Sequence, residues 1–140
     1  MKSQRLAAYG VCIEGEAILL VRASTMTEVP GRWFLPGGGV DHGEHPEESL
    51  IRELREETGL SGKIGAFLGV LSDVRTRADD VRHHTIRLIY QITELSGELR
   101  SEASGSSDLA QWIPLRETKN FPIAQYAQRS CQLLGITLLQ

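Results

Sequence analysis

Cysteine is scarce in this sequence: Cys12 and Cys131 stand at opposite ends of the chain. No Cys-x-x-Cys pair or Cys/His cluster occurs, which excludes a zinc site of the usual spacing. The two thiols read as buried groups in a reducing compartment, the cytoplasm, with a single disulfide as the alternative. Long apolar runs are also missing. Stretches such as residues 17–21 fall far short of the ~20 residues that a membrane-spanning helix needs. The opening residues Met1-Lys2-Ser3-Gln4-Arg5 lead into no apolar core of the kind a secretory signal carries. Internal repeats and low-complexity tracts are absent. What is there is a chain of 140 residues, 41% hydrophobic and 24% charged, a balance that excludes the disordered class and suits one domain over 1–140.

Positive charge is in slight deficit. The net charge of −3 argues against a non-specific nucleic-acid binder. Its distribution says more. Residues 38–60 carry seven acids against two arginines, a local charge of −5, and the rest of the chain is at +2.

Apolar runs at 7–13 and 17–21, separated by Glu14-Gly15-Glu16, read as two strands and a turn. Residues 24–32 read as a loop around Pro30-Gly31, and 33–35 as a short strand stopped by Pro36 and the run Gly37-Gly38-Gly39. A helix is expected over 47–58, with Pro46 in its first turn and Gly59 as its stop. Further strands are expected at 65–71, at 85–93 with Ile86, Leu88, Tyr90 and Ile92 on one face, and at 111–114. Residues 75–84 and 95–109 read as loops, and 122–134 as a C-terminal helix. The mixture predicts an α/β or α+β domain.

On a helical wheel Leu50, Ile51 and Leu54 form the apolar stripe. Glu53, Glu56 and Glu57 share about 100° of surface beside it. Arg52 can pair with Glu48 or Glu56 at i,i+4. Close like charges destabilise a helix by roughly 0.2–0.5 kcal/mol per pair, so a compensating cation is expected. Glutamate oxygens are hard ligands and suit Mg²⁺ or Mn²⁺. A solvated acidic face is the alternative.

The segment that runs from Gly38 through Glu44 and the run Arg52-Glu53-Leu54-Arg55-Glu56-Glu57 to Gly59-Leu60 resembles a Nudix box at every fixed position of that pattern. Trp33-Phe34-Leu35-Pro36-Gly37 before it and Gln111-Trp112-Ile113-Pro114-Leu115 after it are similar to what that family carries. The resemblance implies an α/β/α sandwich around mixed sheets. It also implies Mg²⁺- or Mn²⁺-dependent hydrolysis of a nucleoside diphosphate linked to a group X. Glu53, Glu56 and Glu57 would hold the metal, with the Gly37 carbonyl as a further ligand. Arg52 would orient the carboxylates, and Gly38, Glu44 and Gly59 would be structural. Homodimers are frequent in the family.

Outside the box, a carboxylate in the loop before Trp112, Glu102 or Asp108, is a candidate general base or substrate contact. Arg22 and Arg32 are candidate substrate contacts, as are Arg75, Arg77 and Arg82 in the later loop. His83 and His84 point to opposite faces if that stretch is extended. Trp33 and Trp112 could stack on a base or simply pack. The resemblance to single-domain MutT-like members implies a nucleoside triphosphate substrate. ADP-ribose or a nucleotide sugar is the alternative, although Arg75 stands where some ADP-ribose hydrolases carry Pro. A non-catalytic nucleotide-binding module is the remaining alternative.

Overall fold

The computed structural model describes residues 1–102 and 104–139. Strand β1 (Lys2–Glu14) organises it. Along one edge β1 pairs in parallel with β6 (Arg82–Gly97), from Lys2↔Arg82 to Cys12↔Ile92. Strand β5 (Leu60–Thr76) pairs antiparallel outside β6. Along its other edge β1 first takes β4 (Gly37–Gly39), through Ala7↔Gly39 and Tyr9↔Gly37. Its end then turns through Gly15, at φ 57, into β2 (Ala17–Ala23). β2 carries β3 (Trp33–Phe34) and β7 (Ser107–Pro114). The sheet is therefore mixed, with helices packed against it as the fold class required.

Helix α1 (Pro46–Thr58) covers one face, burying Leu50 and Leu54 against Ala8, Cys12, Tyr90 and Ile92. Helix α2 (Gln125–Gln132) lies over the other, where Tyr126, Ala127 and Cys131 join Ala7, Tyr9, Ile89 and Ile113. The ends of α1 follow the sequence signals. His45 Nδ1 accepts from the Glu47 N–H at 3.0 Å, and Gly59 closes the helix at φ 77 by donating to the Arg55 carbonyl. Ile51 sits less deep than its place in the apolar stripe suggests, being only partly buried.

Several expected boundaries move, each because a distant partner extends an element. The expected loop 75–84 shrinks to a turn closed by the Arg77 N–H on the Val81 carbonyl, since Arg82–His84 pair with Lys2–Gln4. Strand β6 is covered on both faces: Thr85 and Ile89 are buried as well as Tyr90 and Ile92. The expected loop 95–109 loses its ends to β6 and β7. The C-terminal helix starts three residues late, because Ile123 first bridges to Trp33 and the Trp33 N–H binds the Pro122 carbonyl. A 3-10 helix, Leu115–Asn120, precedes it.

The glycine run is the largest departure from expectation. Gly37–Gly39, expected only to stop the strand before it, is itself a strand paired with β1. A Cβ on Gly37, which sits at φ 138, would lie 2.2 Å from the Ala8 carbonyl oxygen. Only glycine lets this strand approach β1 so closely. Both cysteines are buried and free. Burial pushes the Cys131 thiol up to about 12 and Cys12 higher still, so both are inert. Among the described residues no helix is long and apolar enough to cross a membrane.

Candidate active site

A cavity of about 500 Å³ opens on the α2 side of the sheet. Its floor follows from strand alternation. Arg5 and Tyr9 come from β1, His83, Thr85 and Arg87 from β6, and Leu71, Asp73 and Arg75 from β5. These are in-register neighbours: Arg5↔Thr85, Leu71↔Arg87, Asp73↔Thr85 and Arg75↔His83. Phe34, Tyr126 and Arg129 form one wall, and residues 27–29 with Arg32 another. Gly37, Gly38, Glu53 and Glu57 form the acidic end.

Helix α1 delivers its carboxylates in two directions. Glu57 points inward and is 4% exposed. Its carboxylate accepts the Gly37 N–H at 2.8 Å, the only hydrogen bond that the described residues donate to it. Burial pushes its pKa well above the usual carboxylate range, against that hydrogen bond, and Glu53, Glu102 and Glu56 add to the rise. Glu53 lies against Gly38, where a Cβ would stand 3.1 Å from its carboxyl carbon. Burial raises Glu53 too, against the pull of Arg52.

Glu56 turns the other way, is about half exposed, and is not among the cavity-lining residues. There Arg52 gathers four carboxylates. It forms a two-pronged bond with Glu44, Nε–Oε2 at 2.9 Å and Nη2–Oε1 at 3.1 Å. It also reaches Glu53 and Glu56 at 3.3 Å and Asp41 at 3.4 Å; the sequence-expected pairing with Glu56 forms and the one with Glu48 does not. Arg52 pulls the Glu44 pKa down to about 2. Glu44 also closes the turn before the helix, accepting the Asp41 N–H at 3.2 Å.

The remaining candidates divide cleanly. Arg32 lines the cavity, and so does Arg75, which pairs with Glu28 at 2.8 Å and so ties the 24–32 loop to β5. Glu102 lies near enough to raise both Glu53 and Glu57, and the Ser107 hydroxyl donates to it at 3.4 Å. Arg22 and Asp108 pair with each other at 2.8 Å outside the cavity lining. Arg77 pairs with Asp79 in the β5–β6 turn. Trp33 packs edge-on against Phe121, and Trp112 joins the α1 core; neither lines the cavity. Sequence reading missed Arg5, Tyr9, Arg87, Tyr126 and Arg129. Arg87 shares its face of β6 with His83, Thr85 and Gln91, and that polar alternation was the signal that could have found it.

Could these residues hold a divalent cation? Among the described residues no three His, Cys, Asp or Glu side chains already form a closed ligand set. The donor chemistry nevertheless fits. Glu57 and Glu53 are hard oxygen donors, pressed together in a desolvated corner with no cation on Glu57. A bound cation would remove the like-charge penalty that raises both.

A family model described as the NUDIX domain matches residues 4–133. An ADP-ribose pyrophosphatase of Methanocaldococcus jannaschii is 35% identical over 96 residues, 69% of this chain and 54% of that protein. A mouse diphosphoinositol polyphosphate phosphohydrolase 3-alpha is 38% identical over 80 residues, 57% of this chain and 44% of that protein. The chain thus spans about half the length of the curated relatives it matches. Among solved structures, a MutT NUDIX hydrolase from Burkholderia pseudomallei has a TM-score of 0.78 at 24% identity, covering 94% of this chain and 98% of that one.

Proposed function

The chain belongs to the Nudix family of pyrophosphate-bond hydrolases, and from that premise we propose that it hydrolyses the diphosphate linkage of a nucleoside diphosphate joined to a group X, with Mg²⁺ or Mn²⁺ as cofactor and a nucleoside triphosphate as substrate. One observation carries this reading. The raised, desolvated pair Glu53 and Glu57 faces a cavity whose rim includes Arg32 and Arg129, which have no ion-pair partner among the described residues. A cation between carboxylates and diphosphate, when bound, would neutralise the anion and lower the pKa of a bound water.

Within that scheme Glu53 and Glu57 would hold the cation, while Glu56 stays on the outer side with Arg52. Arg52 fixes Glu53 and Glu56 by its shared contacts and uses Glu44 as its own anchor. Glu102, near enough to raise Glu53 and Glu57, would be the proton acceptor from outside α1. Arg32 and Arg129 receive phosphate oxygens. The free buried thiols suit a reducing compartment, the cytoplasm.

ADP-ribose is the second reading, favoured by the 35% identity with an ADP-ribose pyrophosphatase. A panel of nucleoside triphosphates, ADP-ribose, nucleotide sugars and dinucleoside polyphosphates, each with Mg²⁺ and Mn²⁺, separates these readings. Product analysis locates the broken bond. Absence of metal-dependent turnover across the panel would leave only the binding-module reading.

A further inference from the structure

The three glycines of β4 each serve a different charged group. The Gly37 N–H holds Glu57. Gly38, lacking a side chain, admits the Glu53 carboxylate. Gly39 does the same for a cation: a Cβ there would stand 3.0 Å from Arg5 Nε and 3.1 Å from Nη2. Arg5 therefore rests on the strand that positions the acidic pair, two residues from the Glu57 anchor. It lies outside the box and more than thirty residues before it.

The other floor arginines each hold an ion pair, although the buried Nε of Arg87 has no hydrogen-bond partner among the described residues. Arg87 pairs with Asp73 at 2.5 Å and stacks over the Tyr126 ring at 4.3 Å, and Arg75 is tied to Glu28. Arg5 lines the same cavity but forms no ion pair or side-chain hydrogen bond among the described residues. The next residue on its face of β1 is the fully buried Ala7, which pairs with Gly39 itself and leaves the guanidinium room. Arg5 is exposed at the cavity that Glu53 and Glu57 also line, with its guanidinium over Gly39, and a planar fork so placed suits a phosphoryl group.

We propose that Arg5 is a specificity-determining residue of this hydrolase, which receives a phosphoryl group of X, so that the chain favours substrates whose X is charged phosphate over those whose X is an uncharged sugar. The inference rests on the hydrolase reading above. A terminal phosphoryl group adds about 1.5 to 2 negative charges near neutral pH, which ADP-ribose lacks at the corresponding position.

The test is the ratio of kcat/KM for a nucleoside triphosphate to kcat/KM for ADP-ribose, in wild type, R5Q, R5K and G39A. Loss of one charge-assisted hydrogen bond corresponds to roughly tenfold or more. The ratio should fall by about that factor in R5Q, mainly through KM for the triphosphate, and R5K should recover part of it. G39A keeps the charge but displaces the guanidinium, so it should lower the ratio in the same direction. Inorganic triphosphate should inhibit R5Q about tenfold more weakly than wild type. A ratio and an inhibition constant unchanged within about twofold in folded R5Q overturn this proposal and leave the hydrolase reading standing. Turnover of ADP-ribose alone does the same. No metal-dependent turnover of either substrate overturns both.

Discussion

Glu44 and Glu57 come from the same acidic segment and meet opposite environments. Glu44 is gripped by the Nε–Nη2 edge of Arg52 and ionises easily, at about 2. Glu57 is buried beside other carboxylates with a single backbone donor, and ionises reluctantly. Arg52 thus engages Glu44, Glu56 and Glu53, and leaves Glu57 with no ion-pair partner among the described residues. Had the helix been only a solvated acidic face, its carboxylates would resemble one another. Their divergence supports the proposed cation site at the inner pair, since pKa values are driven apart in this way at reactive sites.

The strongest way to break the contrast is to neutralise its inner member. E57Q should cut kcat on the order of 10²- to 10⁴-fold, measured with saturating Mg²⁺. It should also stabilise the metal-free protein at pH 8. The sign follows from linkage: a raised folded-state pKa gives stability that is full below the unfolded value near 4.5 and is lost as pH rises through the folded value. The melting advantage of E57Q should therefore shrink as pH falls towards 4.5. An E57Q protein as active as wild type would remove the cation-holding role.

Moving the donor is the next test. G37A places a Cβ 2.2 Å from the Ala8 carbonyl oxygen at φ 138, so β4 must shift. A loss of about 1–3 kcal/mol in denaturant unfolding is expected, together with loss of activity. E44Q attacks the outer member. Activity should fall roughly tenfold, as for groups that orient metal ligands. Here the stability sign reverses: a lowered folded-state pKa gives stability present above 4.5 and lost as pH falls towards 2. The deficit of E44Q should thus be full at pH 7 and close in acid. The smallest effect belongs to R75Q. Its bond to Glu28 joins two half-exposed side chains, so stability should change by only about 0–1 kcal/mol, while amide exchange across 24–32 quickens.

The sequence made α1 legible almost to the residue, because its start and stop signals, Pro46 and Gly59, are local. The three glutamates were legible too, but the wheel could not say that Glu57 turns into the protein and Glu56 away from it. That depends on what β4 offers, and β4 itself was hidden. A run of three glycines reads as a turn unless one knows that Ala7–Tyr9 lie alongside. The cavity floor was hidden for the same reason. Arg5 and Arg87 meet only through a parallel pairing across some eighty residues, and Ile86, Leu88, Tyr90 and Ile92 drew attention to the opposite face of β6. Asp108 and Arg22, both candidates by composition, neutralise each other across β2 and β7.

The fold leaves Glu57 with no ion-pair partner among the described residues, and a divalent metal is proposed to supply the missing charge. Calorimetric titration of the metal-free protein with MgCl₂ or MnCl₂ at several pH values from about 4.5 upward, in two buffers of different ionisation enthalpy, tests this most directly, because a metal must displace any proton its ligand carries. Wild type should bind with proton release, and E57Q should lose that release and bind more weakly. Binding with no proton released, or equal binding and release in E57Q, would contradict the account.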